Sequence, residues 1–193
     1  LPENGSFLRQ SWRIESFIIR PVFFVRDPMH VRTLLVAAAA ALTFASSSAF
    51  AQAQPGQPAP AFDLPGTTGQ VRLADMRGRL VYVDFWASWC APCKQAFPFL
   101  NEMQEKYGAR GFQVVGINVD AKRADAERFL ATTPARFTLA FDDKGETPKA
   151  FAVKGMPSSY LVGPDGRVLA VHVGFKDDDR KALEEKIRQA LPR

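Results

Sequence analysis

Residues 83–94 read VDFWASWCAPCK, from Val83 to Lys94, and they hold both cysteines of a 193-residue chain. Two patterns meet in this stretch. LVYVDFWA (80–87) is almost continuously apolar and rich in β-branched and aromatic residues, which predicts a strand buried on both faces. From Cys90 to about Tyr107, the residues Phe97, Leu100, Met103 and Tyr107 recur at helical spacing. Cys90 therefore stands where a buried strand gives way to a helix. A helix N-terminus presents unpaired N–H groups and a partial positive charge. Both stabilise a thiolate, the reactive form of cysteine. Cys93 lies one turn deeper, from where its sulfur can reach that of Cys90 and close a small, reducible ring. Pro92 has no N–H to lose, which costs little in a first helical turn.

Other uses of two cysteines at this spacing stay open on the residues alone. A structural disulfide closing so short a loop removes little unfolded-state entropy. Zinc normally takes four ligands, and His172 is the only histidine after position 51. A copper(I)-binding module is chemically reasonable, since soft thiolates select copper(I). Few methionines and a single histidine speak against it.

Working outward from the cysteines, AFDL and VRL flank PGTTGQ and suggest a small hairpin. FQVVGINVD (112–120) reads as a second buried strand and FTLAFD (137–142) as a third. Between them KRADAERFLATT (122–133) is a helix with Ala126, Phe129 and Leu130 on one face. TPKAFAV (147–153) is a short helix. SSYLVG and RVLAVHVG are strands joined by the turn Pro164-Asp165-Gly166. Residues 177–191 close the chain as a helix, with acids in its first turn and Leu183, Ile187 and Leu191 at i, i+4, i+8. The order β-β-β-α-β-α-β-α-β-β-α predicts an α/β fold: a mixed central sheet with helices on both faces and an extra N-terminal hairpin.

The front of the chain reads differently. Residues 33–51 carry no charge, and their strongly apolar run, Leu34 to Phe44, has the length of a signal-peptide core and is short for a membrane span. Ala49-Phe50-Ala51 is a small-x-small cleavage pattern. The expected organisation is an upstream extension of mis-assigned start over 1–28, a signal peptide over 29–51, a Pro/Gln/Gly-rich linker over 52–60 and one domain over 61–193. An uncleaved N-terminal membrane anchor is the alternative. Residues 52–193 hold 20 Lys+Arg against 17 Asp+Glu, so the net charge of +5 is no nucleic-acid signal. Export would place the protein in the periplasm, an oxidising compartment where disulfides persist.

VDFWASWCAPCK resembles the active-site segment of the thioredoxin superfamily. The wider stretch PGQPAPAFDLPGTTGQVRLADMRGRLVYVDFWASWCAPC resembles the exported TlpA/ResA-type thiol-disulfide oxidoreductases, and the likeness extends over about 55–192. CxxC alone is weak. Joined to WxxWC, to a preceding acid and to a later Gly-x-Pro, it is specific. The resemblance implies a thioredoxin-like fold and thiol–disulfide exchange on client proteins, with Cys90 as nucleophile, Cys93 as resolving cysteine and no bound cofactor. It implies that Pro157 in Gly155-Met156-Pro157 is cis, and that Met156 and Pro157 hold an extended substrate segment beside Trp89.

Asp84, six residues before Cys90, matches the buried acid of the thioredoxin pattern. A carboxylate within an apolar strand is expensive to bury without a partner or a task. It is either paired with a cation, such as a lysine, or it exchanges a proton with Cys93, its pKa raised by burial. Many TlpA/ResA-type proteins carry a Glu three residues after the second cysteine. That position is Ala96 here, which leaves Asp84 as the sole acid and weakens any transfer of a narrow substrate preference. Pro98 matches a helix proline of the family. Trp86 either shields the site or packs in the core, Lys94 adds positive potential or simply faces solvent, and His172 reads as a surface residue.

The resulting expectation is a monomeric exported protein-disulfide reductase, recharged by a membrane electron-donor protein. Its clients would be proteins of cytochrome c maturation or copper-centre assembly, and it would bind no nucleic acid. A disulfide-forming oxidant and the copper(I) module are the alternatives. A peroxiredoxin-like peroxidase would want Thr or Ser three residues before the nucleophile, where this chain has Ala87.

Overall fold

The computed structural model describes residues 53–192. The segments expected to be an upstream extension, 1–28, and a signal peptide, 29–51, lie outside the described residues. Strands β1 (Asp63–Pro65) and β2 (Gln70–Arg72) form the N-terminal hairpin, with Leu64 opposite Val71. Five further strands make the central sheet. They are β3 (Leu80–Trp86), β4 (Phe112–Asn118), β5 (Thr138–Phe141), β6 (Ser158–Val162) and β7 (Val168–Val173). Their spatial order is β5-β4-β3-β6-β7. β3, β4 and β5 are parallel, while β6 runs antiparallel to β3 and β7 antiparallel to β6. The helices are α1 (Ala91–Tyr107), α2 (Arg123–Thr132), α3 (Glu146–Ala150) and α4 (Arg180–Ala190).

β3 is the centre of the sheet and all seven of its residues are buried. Alternation then sorts them onto two faces. Leu80, Tyr82 and Trp86 join the core beneath α1, α2 and α4, with Phe97, Leu100, Ala126, Leu183 and Ile187. Val81, Val83 and Phe85 join the core on the other face, with Val71 of the hairpin, Phe151 after α3, and Leu73 and Met76 of a 3-10 turn. Helices thus cover both faces, unequally. Trp86 is fully buried, its ring 5.0 Å from those of Phe97 and Phe129, so of its two sequence readings core packing is the one its burial fits.

α1 runs unbroken through Pro98. That proline leaves the Lys94 carbonyl without its helical N–H. Gly166 takes φ +77° at the 164–166 turn, a conformation that L side chains rarely adopt. In the Pro/Gln/Gly-rich stretch, Gly56 N–H donates to the Val168 carbonyl and Ala59 N–H to the Gly166 carbonyl. Residues 177–179 form a 3-10 turn ahead of α4, and the Asp179 carboxylate there accepts the Lys176 N–H.

Candidate active site at the start of α1

Cys90 is the N-cap of α1, with extended backbone angles, and Cys93 is the third helical residue. The two form a disulfide, with an S–S distance of 2.00 Å and Cα atoms 5.3 Å apart. The Cys93 N–H donates to Cys90 Sγ at 3.2 Å. One orphan N–H of the helix end is therefore aimed at the outer sulfur, with the helix dipole behind it. In the dithiol state the same geometry favours a thiolate on Cys90. Cys90 keeps 5 % of its surface exposed and Cys93 none. Trp89, immediately before, is 72 % exposed. A cleft of about 480 Å³ opens beside the disulfide, lined by Ser88, Trp89, Cys90, Lys94, Arg128 and Phe129. Lys94 is exposed on its rim.

The loop that presents Cys90 is clamped by an acid from the next strand's end. Asp120 Oδ2 accepts the Ser88 N–H at 2.9 Å, and Asp120 Oδ1 accepts the Ser88 hydroxyl at 3.0 Å. Asn118 Nδ2 donates to the same Oδ2 at 2.8 Å. Asp120 is buried, so these bonds also meet the cost of burying its carboxylate. The sequence reading missed this clamp. Its only trace is the polar pair Asn118 and Asp120 breaking the apolar run of β4.

The Met156–Pro157 peptide bond is cis. Register carries it to the cysteine end of the sheet: Ser158 is paired with Phe85, so Pro157 comes level with Trp86, four residues before Cys90. Pro157 is buried and its carbonyl accepts the Gly174 N–H at 2.8 Å. Met156 is half-buried against both cores. Among the described residues, neither its N–H nor its carbonyl has a hydrogen-bond partner.

Asp84 is 1 % exposed on the α1 side of β3. No lysine meets it: its neighbour on β4 is Gly116, and on β6 it is Ser159. A Cβ at Gly116 would come within 2.8 Å of the Phe137 ring, so the packing there leaves no room for a cation. The Ser159 hydroxyl instead donates to Asp84 Oδ1 at 2.6 Å. Asp84 Oδ2 is buried with no partner. Burial pushes the Asp84 pKa up to about 7, against the opposing pull of the Ser159 hydrogen bond. The carboxyl therefore changes charge near neutral pH, with one oxygen held and the other free.

A helix N-terminus that aims an N–H at one sulfur, set over a half-protonated buried acid, suits a dithiol that opens and closes. On this sheet order that combination defines the thioredoxin-fold thiol–disulfide oxidoreductases. The AhpC/TSA family model matches residues 55–171. The chain is 30% identical over 138 residues to the thiol-disulfide oxidoreductase ResA of Bacillus thuringiensis subsp. konkukian, covering 71% of this chain and 79% of that one. Among solved structures, a Chlorobium tepidum protein assigned as a thiol:disulfide interchange protein DsbE shares 57% identity, with a TM-score of 0.71 over 72% of this chain and 99% of that chain. A thiol-disulfide oxidoreductase from Bacteroides fragilis shares 28%, with a TM-score of 0.62 over 70% and 100%. The chain belongs to the AhpC/TSA family, as a thioredoxin-like thiol-disulfide oxidoreductase of the TlpA/ResA type.

Proposed function

We propose that this oxidoreductase reduces disulfides in client proteins, with Cys90 attacking, Cys93 resolving and Asp84 moving the proton. The observation that carries the reading is the division of Asp84: Oδ1 bound to Ser159, Oδ2 buried and free beneath the helix that holds Cys93. The Cys90 thiolate attacks one sulfur of a client disulfide. An S–S bond forms to Cys90, and the other client sulfur leaves as thiolate. Asp84 Oδ2 takes the proton of Cys93. The Cys93 thiolate attacks Cys90 Sγ, the Cys90–client bond breaks, and the second client thiolate leaves. The client gains two electrons and the protein is left as the Cys90–Cys93 disulfide, the state described here. The unpaired Met156 backbone groups and Pro157 hold the extended client segment, and exposed Trp89 covers it.

The likeness to proteins named thiol-disulfide oxidoreductase ResA supports the exchange chemistry, and the reducing direction is our inference from the resemblance of the WASWCAPCK segment to the TlpA/ResA type. A reductase in an oxidising compartment needs recharging, so we infer a membrane electron-donor protein as its partner. Clients are apocytochrome c thiols before haem attachment, or the cysteines of a copper centre. The leader over 29–51 is cleaved and the protein works in the periplasm as a monomer, with 61–193 as its domain. No helix among the described residues is long and apolar enough to cross a membrane.

Cys93→Ser in the exporting cell tests the reading. It should accumulate disulfide-linked client adducts on Cys90 that dithiothreitol releases, with free client thiols falling in parallel. Adducts absent from Cys93→Ser, or client disulfides that decrease when the protein is deleted, would sink the reductase reading.

A further inference from the structure

One row across the sheet is polar where the next row on the same face is almost wholly apolar. Register sets Gly116, Asp84, Ser159 and His172 side by side on β4, β3, β6 and β7. The adjacent row is Val114, Tyr82, Leu161 and Ala170. The Ser159 hydroxyl donates to Asp84 Oδ1, and the Tyr82 hydroxyl is near enough to Asp84 and Ser159 for both to bear on its ionisation, without a hydrogen bond to either. Cross-strand neighbours stand about 5 Å apart at Cβ, so Ser159 and His172 are close. Between the sheet and α4 lies a cavity of about 10 Å³, lined by Tyr82, Leu161, Ala170, His172, Leu183 and Ile187 among others. That is about the space one water molecule occupies.

His172 is not the surface residue its alternating strand suggests. Its side chain is 25% exposed, and α4 closes over the rest. Its Nε2 is buried without a hydrogen-bond partner and stands 3.5 Å from Asp179 Oδ2, an ion-pair distance without hydrogen-bond geometry. Asp179 reaches solvent, with 34% of its side chain exposed. A buried, unpartnered nitrogen beside a water-sized space is the arrangement that a bridging water satisfies.

We propose that Ser159 is the positioning residue of Asp84, and that Ser159, Tyr82, one water and His172 conduct the proton between Asp84 and solvent at Asp179. The inference rests on the reading of Asp84 as the acid that serves Cys93. Near neutral pH part of the molecules hold a proton on Asp84, and it has to leave before Oδ2 can take the proton of the Cys93 thiol. The protonated carboxyl turns its O–H to Ser159. The serine hydroxyl reverses to donate to Tyr82, the tyrosine proton passes to the water, and the water's passes to His172 and out. One proton leaves Asp84, one reaches solvent at Asp179, and only O–H and N–H bonds change along the route. The titratable groups that face this route are Cys93 from α1, Tyr82 and Asp84 from β3, His172 from β7, Asp179 from the 3-10 turn and Lys186 from α4.

The test uses the full chain carrying glutathione in mixed disulfide with Cys90, and follows glutathione release against pH. Asp84 is titrated alongside by its carboxyl infrared band. Ser159→Ala removes a hydrogen bond to the charged form, so the Asp84 midpoint should rise by about one unit, about tenfold in its protonation equilibrium. Ser159→Thr should restore it. His172→Leu should leave the midpoint in place and slow release about tenfold near neutral pH, within the range by which positioned proton transfer accelerates such steps. An unmoved midpoint in Ser159→Ala, or release at the parent rate in His172→Leu, overturns the inference. Asp84→Asn separates the two levels. If it too releases glutathione at the parent rate, the acid reading has failed. If it is slow while Ser159→Ala and His172→Leu match the parent, the conduit alone has failed.

Discussion

β3 shows two chemistries on one strand. Its odd residues, Val81, Val83 and Phe85, meet Tyr160, Phe151 and Val115 in a face built on ring and methyl contacts. Phe85 stands 5.2 Å from the Phe151 ring and 5.8 Å from Tyr160, both edge-on. Its even residues place a phenol, a carboxylate and an indole N–H beneath α1. Two of those groups, Asp84 Oδ2 and Trp86 Nε1, are buried with no partner. Both faces are equally dry, so exposure does not distinguish them. One face spends its burial on packing; the other tolerates destabilising polar groups directly under the cysteine helix. Such a cost persists where the group has a task.

Breaking the apolar face should have the largest effect on stability. Phe85→Ala deletes a fully buried ring and should cost about 3–5 kcal/mol in denaturant unfolding. The pH dependence of glutathione release in the surviving folded protein should stay in place. If that profile moves, the two faces are not separable.

The polar face should respond in the opposite sense. Asp84 has a folded pKa of about 7, above its ordinary value of 3.8. Below about pH 4 both states are protonated, and the group adds nothing to the pH dependence. As pH rises toward 7 the unfolded chain ionises and the folded one holds its proton, so stability falls. Above 7 the loss is complete. Asp84→Asn should therefore gain on the parent as pH rises from 4 to 8, by on the order of 3–4 kcal/mol at full extent. Its resolving step should be slower by about 10²-fold or more near neutral pH. Unfolding curves at pH 4 and pH 8 check the first, and stopped-flow checks the second. A variant whose gain is the same at both pH values contradicts the raised pKa.

Smaller effects sharpen the comparison at the site's rim. Asp120→Ala leaves the part-buried Ser88 N–H and the buried Asn118 amide without their acceptor and should cost about 1–3 kcal/mol. It also frees the loop ahead of Cys90, so the Cys90 thiol pKa, read by thiolate absorbance at 240 nm, should shift. Trp89→Ala changes an exposed side chain and should alter stability by no more than about 0.5 kcal/mol. Its loss should appear as a raised KM for protein disulfides, with small-disulfide rates retained.

Much of this was legible in the sequence because the signals are local. The apolar run of β3, the CxxC at its end and the helical spacing of Phe97, Leu100, Met103 and Tyr107 in α1 each lie within a few residues of one another. The fold followed from the alternation of strands and helices, and the hairpin from PGTTGQ. What escaped depends on register. Ser159 and Asp84 are 75 residues apart and meet only because β6 pairs with β3 antiparallel. Gly116 facing Asp84 excludes the lysine partner that composition left open. His172 reads as exposed because β7 is an edge strand with alternating polarity, yet α4 crosses the face it points to. The polar pair Asn118 and Asp120 is visible in the sequence, but its local pattern does not reveal that the Asp120 carboxylate turns back to Ser88.

The reductase reading stands or falls on the reduction potential of the Cys90–Cys93 couple. It is obtained by equilibrating the protein in glutathione or dithiothreitol buffers and reading tryptophan fluorescence beside the disulfide. We expect a value near or below that of thioredoxin, about −270 mV. A value near −120 mV, in the range of the strong oxidant DsbA, would contradict it and assign the protein to disulfide formation.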